Sequence, residues 1–204
     1  MIKGYSKVYL QKVEGLNKQG LIYSINSDSK TIGKLQESKN SSKKAGNLMI
    51  RLASLILLAI PERIIVESLE FDLLDAEEKI VGSIKKEIGF YKDIMIYAKN
   101  GEHIASVKSI FKAKSPSIKV IDANGNELLT AIGSYDALDF TVNDSKTNEL
   151  ITSIKKRSIM YETMKENFLN NDVYHIDNSN YKEDVLFKLI GIVVAIDIHF
   201  HMGK

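Results

Sequence analysis

The chain has 204 residues, 44% hydrophobic and 26% charged. These are globular proportions, enough for one sizeable core and a single domain over 1–204. A formal net charge of +2 is too small to argue for nucleic acid as a partner, and the absence of cysteine excludes disulfides and thiolate chemistry.

The N-terminus, MIKGYSKVYLQKVEG, holds no apolar stretch of signal-peptide length, which gives a cytoplasmic expectation. IYSINSDSKTIGKL (22–35) then reads as two apolar strands around a polar turn. In SSKKAGNLMIRLASLILLAIPE (41–62), Leu48, Leu52, Leu55, Ile56 and Ala59 recur at helical spacing before Pro61 forbids continuation. The spacing predicts an extra helix near 47–60, with a pair of buried strands as the competing reading.

The strand–turn–strand plan returns in LEFDLLDAEEKIVGSI (69–84), IMIYAKNGEHIASV (94–107), IKVIDANGNELLTAI (118–132) and FTVNDSKTNELITSI (140–154). Ile94 and Ile96, Ile118 and Val120, and Phe140 and Val142 sit at period two, so each pair lies on one sheet face. Asn100-Gly101 and Asn124-Gly125 tolerate the positive φ that tight hairpins require. Ten to twelve such strands predict a sandwich or a barrel, and a barrel removes exposed edges.

NDVYHIDNSNYKED (171–184) reads as a polar turn leading to a helix cap, with Asn180 and Glu183 spaced as a capping box. VLFKLIGIVVAID follows, apolar on consecutive positions and therefore apolar all round a helix from Tyr181 to Asp197. Such a helix must be enclosed by protein or lipid. The run is shorter than the roughly 20 residues a membrane span needs, so enclosure by a closed sheet is the expectation. Leu189, Ile192, Val193 and Ile196 are its predicted core residues, with Asp197 bonding strand N–H groups to hold the helix in register. Gly191 would let a strand approach closely. After Asp197, Ile198, Phe200 and Met202 alternate with His199 and His201, which predicts a short last strand.

Serial hairpins of the form Φ-x-Φ-x-D-x-x-G-x-Φ-Φ-x-x-Φ, followed by a hydrophobic helix ending in Ile-Asp, resemble the tubby C-terminal-like superfamily. That group includes the LURP-one-related proteins, the phospholipid scramblases and small bacterial tubby-like proteins. The hairpins at 69–84, 94–107, 118–132 and 140–154 and LIGIVVAID (189–197) carry the resemblance, strongest over 64–200. It implies a mainly β fold: a closed antiparallel barrel of about twelve strands around a buried hydrophobic C-terminal helix. The stretch at 47–60 has no counterpart in the family pattern.

The resemblance also implies a non-catalytic protein that binds anionic phospholipid headgroups or a membrane surface, peripherally. Basic candidates are Lys155, Lys156 and Arg157, the densest cluster, with Lys85 and Lys86; Lys43-Lys44 and Lys108, Lys112 and Lys114 are further clusters. Their alternative reading is a solvated face balanced by acidic neighbours. A scramblase-like calcium segment would fall on Asp172, Asp177, Glu183 and Asp184, whose spacing does not match an EF-hand loop. His199 and His201 would share a strand face, but zinc wants a third ligand. No nucleophile elbow, P-loop, zincin motif or dinucleotide fingerprint occurs, so neither an enzyme nor a cofactor is implied. A protein-interaction module using 48–60 and scramblase-like lipid transfer are the competing functions.

Overall fold

A computed structural model describes residues 7–13, 21–27, 30–38, 68–89, 91–112, 114–158, 172–177 and 183–201. The predicted hairpins are present as β2 (Ile22–Ser27) with β3 (Lys30–Glu37), β4 (Leu69–Asp75) with β5 (Ile80–Lys86), β6 (Ile94–Ala98) with β7 (His103–Ile110), β8 (Ser117–Asp122) with β9 (Glu127–Gly133), and β10 (Asp139–Asp144) with β11 (Leu150–Ser158). β1 (Lys7–Val13) and β12 (Asp172–Asp177) complete twelve strands. Every strand pairs antiparallel with its neighbour in sequence, and β1 pairs with β12, so the sheet closes. The predicted helix near 47–60 lies outside the described residues.

The four hairpins β4–β5, β6–β7, β8–β9 and β10–β11 share one turn chemistry. The residue just before the second strand's first ladder bond has positive φ: Glu78 at 61°, Gly101 at 82°, Gly125 at 86° and Asn148 at 59°. Each of these four also slips register by one residue at its turn end, between Leu73 and Leu74, Ile96 and Tyr97, Val120 and Ile121, and Val142 and Asn143. A left-handed residue beside a bulge is the usual closure of a short hairpin loop, and the bulge adds the twist a barrel needs. In three of the turns an aspartate anchors the loop: Asp75, Asp122 and Asp144 each accept two backbone N–H bonds through Oδ1. Backbone bonds hold the Asp75 and Asp144 carboxyls below their ordinary pKa, and for Asp122 the Asn126 side-chain amide leads, with the backbone bonds behind it.

A barrel of twelve strands leaves a lumen too wide for its own side chains to fill. Helix α1 (Glu183–Ile196) occupies it. Leu186, Phe187, Leu189, Ile190, Ile192, Val193, Val194, Ala195 and Ile196 are buried against inward strand residues such as Leu35, Phe71, Ile96, Val107 and Val120. All-round hydrophobicity is thus satisfied by protein. The helix enters at the rim of tight hairpins, where Phe187 lies against Gly82, and leaves at the opposite rim, where His199 meets Ser109 at the end of β7. A Cβ at Gly191 would stand 2.5 Å from Ile96 Cδ1 and 3.2 Å from Val107 Cγ2, which is the close approach expected of this position. No helix among the described residues is long and apolar enough to cross a membrane.

Two segments differ from expectation. Residues 172–177 form the strand that closes the barrel, not a polar turn, because Tyr174 and Ile176 face the core and Val173 is also buried, while Asp172 and Asp177 end the strand. The expected last strand is instead a π-helical turn, Asp197–His201. The wider turn keeps Asp197, Ile198 and His199 all buried, which strand alternation could not do.

Candidate functional site

The chemistry of the molecule gathers where α1 ends. Asp197, 1% exposed, accepts bonds from the hydroxyls of Tyr23 at 2.5 Å and Tyr174 at 2.6 Å. Lys12 Nζ stands 3.9 Å from the same carboxylate. Burial, reinforced by the Asp197 charge, raises the pKa of both tyrosines, so both remain donors. Asp197 does hold the helix to the barrel, but through side chains from β1, β2 and β12 and not through the strand N–H groups expected of it. Lys156 and Asp172, joined at 2.7 Å and largely buried, extend the cluster, with the Lys156 ammonium 5.9 Å from the Tyr174 ring centroid.

The basic residues singled out by sequence are engaged. Lys155 bonds Asp177 at 2.7 Å, Arg157 bonds Asp139 at 2.8 Å, and Lys85 bonds Glu70 at 2.9 Å. Lys156 points inward, and Lys86 is 2% exposed. The two clusters also do not converge: β5 and β11 are six places apart in a ring of twelve, on opposite sides of the barrel. By contrast, Lys108, Lys112 and Lys114 make no ion pair among the described residues.

The acidic candidates are likewise separated. Asp172 and Asp177 stand at the two ends of β12, about 17 Å apart at strand rise. Asp184 bonds Lys188 at 3.1 Å, and the Glu183 side chain lies outside the described residues. Among the described residues no three His, Cys, Asp or Glu side chains are placed to hold a metal. His199 and His201 do not share a strand face: His199 Nδ1 is 2.7 Å from Ser109 Oγ, whereas His201 Nε2 is 2.9 Å from the Ala137 carbonyl.

The same rim carries an aromatic cradle that sequence reading missed. Three connections border it: Tyr91 between β5 and β6; Phe111, Lys112 and Pro116 between β7 and β8; and Tyr135, Asp136 and Ala137 between β9 and β10. His199 and Phe200 of the π-helical turn form its floor around a cavity of about 240 Å³. Tyr91 and Phe111 pack with centroids 4.2 Å apart, and Phe111 and Phe200 with centroids 4.9 Å apart. Tyr135 is 82% exposed and Phe111 46%. The only signal available beforehand was an aromatic residue in each polar connection, Tyr91, Phe111 and Tyr135, whose convergence depends on barrel closure.

Comparison with solved structures finds an X-ray structure of a protein from Arabidopsis thaliana. It is 12% identical, with a TM-score of 0.53, over 96% of this chain and 94% of that one. At that identity the likeness shows the fold. No protein-family model matches the chain, and no curated protein matches it.

Proposed function

We propose that the protein is a non-catalytic, tubby-like, LURP-one-related binding protein of the cytoplasm that associates peripherally with anionic phospholipid surfaces. The observation that carries this reading is the pairing pattern at the rim where α1 ends. Lys155, Arg157 and Lys85 spend their charge on carboxylates, while Lys108, Lys112 and Lys114 stand without ion-pair partners among the described residues, beside exposed Phe111 and Tyr135. Aromatic side chains with a polar edge favour the level of lipid headgroups, and each nearby basic residue contributes about 1 kcal/mol of attraction to an anionic leaflet. The headgroup surface is therefore assigned to the β7–β8 side of the rim, not to the 155–157 cluster.

Flotation with phosphatidylserine-containing vesicles at low salt tests this. The wild-type chain is expected to float, and the triple variant K108E/K112E/K114E to remain behind, with circular dichroism confirming its fold. Flotation of the triple variant equal to wild type would move the surface elsewhere. Failure of the wild type to float at low ionic strength, where attraction is strongest, would end the lipid reading.

A further inference from the structure

Helix α1 does not stand at the centre of the barrel. Its backbone comes closest to β6, β7 and β8, where Gly191 seats it against Ile96 and Val107. In the ring of twelve strands β1 is six places from β7, and β12 is six places from β6. The seam where the sheet closes therefore lies across the lumen from the wall that carries the helix. A lumen wider than one helix leaves a gap on that side, and long side chains fill it. Leu10 of β1, Tyr23 of β2 and Tyr174 of β12 are each fully buried there.

The polar ties from the helix to the seam meet in one carboxylate. Asp197 receives the Tyr23 hydroxyl at 2.5 Å and the Tyr174 hydroxyl at 2.6 Å, with Lys12 Nζ at 3.9 Å. These side chains come from β2, β12 and β1, which are the two seam strands and the neighbour of one of them. β12 is fastened separately to β11 by Lys156 with Asp172 and Lys155 with Asp177, both at 2.7 Å. Across the seam itself runs a five-residue ladder, from Lys7 opposite Asp177 to Gln11 opposite Val173, with the rings of Tyr9 and His175 5.9 Å apart. Parting the seam breaks this ladder and the Asp197 ties. The seat of α1 on β6–β8 and the ion pairs between β11 and β12 stay whole. A region that can separate at the loss of few contacts opens well below the free energy of global unfolding.

We propose that β1 and β12 part along this seam as a unit while α1 stays seated on β6–β8, and that Asp197 is the latch that holds the seam shut. Opening uncovers two strand edges, whose backbone groups are then free to pair with another extended chain. The device is independent of the membrane surface proposed above, because it needs no vesicle to operate or to be detected.

Native-state amide exchange of the full chain, over a range of sub-denaturing urea, tests this. Amides bonded between β1 and β12 are expected to exchange at least about tenfold faster than those of β6–β8, and to respond less steeply to urea, because a partial opening exposes less surface. The chain has no cysteine, so a variant with Tyr9→Cys and His175→Cys, directly opposite across the seam, compares the locked and unlocked barrel in one protein. Oxidation is expected to slow the seam amides to the rates of β6–β8, and reduction to restore them. Tyr174→Phe, which removes one bond of the latch, is expected to quicken the seam amides about tenfold or more. Seam amides that match those of β6–β8 in rate and urea response in the wild type would overturn the proposal, because the barrel would then open only as a whole. Fast exchange at the seam that survives the cross-link would also overturn it, by placing the opening at another ladder. Seam amides unmoved by Tyr174→Phe, while those of β6–β8 quicken, would take the role of latch away from Asp197.

Discussion

At the scale of single residues, the fold places its costliest group last. Removing the Asp197 carboxylate from water is unfavourable unless several partners meet it. Tyr23, Tyr174 and Lys12 supply them from strands distant in sequence. Tyr174→Phe keeps the ring and deletes only the hydroxyl, so the loss isolates one bond to a charged group, worth about 1.5–3 kcal/mol. Urea denaturation should show the midpoint falling at unchanged slope; a variant as stable as wild type would mean the bond is replaced by water. A charge at the end of a greasy run was legible in the sequence, and so was its structural role. Its partners were not: Tyr23 lies 174 positions away and Tyr174 lies 23 away. Only closure of the barrel brings them together.

At the scale of elements, local chemistry was most readable where it repeats. Period-two alternation and turn residues marked five hairpins, and in the four from β4–β5 to β10–β11 the bulges and left-handed residues fall at equivalent places. The strands at the seam were harder to see. β1 and β12 pair with β2 and β11 but stand farther from them in sequence, across 14–21 and 159–171, and β12 begins and ends in aspartate, so its four middle residues were outweighed by polar flanks. The π-helical turn was misread as a strand because Ile198, Phe200 and Met202 alternate with histidines; burial on several sides of one turn imitates period two. Gly191 tests the packing of α1. Leu favours a helix over Gly by nearly 1 kcal/mol, so any loss in Gly191→Leu comes from collision with Ile96 and Val107. That collision should cost about 1–3 kcal/mol or more and lower the thermal midpoint, whereas a midpoint at or above wild type would show room beside the helix.

At the scale of the whole molecule, barrel and helix complete each other. The sheet has no free edge because β1 meets β12, and its lumen is filled because α1 runs through it. Neither part satisfies its apolar surface alone. The family resemblance in the sequence anticipated this architecture, and the likeness to a plant protein of 12% identity agrees with it at the level of fold. The proposed ligand surface was less legible: residues 155–157 form the densest basic cluster in sequence, but strand alternation turns Lys156 inward and cross-strand carboxylates take the other two charges. Charge density along a chain does not reveal which charges find partners across a sheet. The central claim, that the C-terminal helix is the core of the domain, is tested most directly by deleting residues 185–204 and recording a ¹H–¹⁵N correlation spectrum with a thermal melt. The structure predicts collapsed amide dispersion and no cooperative transition. A dispersed β-rich spectrum with a cooperative melt would contradict it, because the barrel would then stand without its filling.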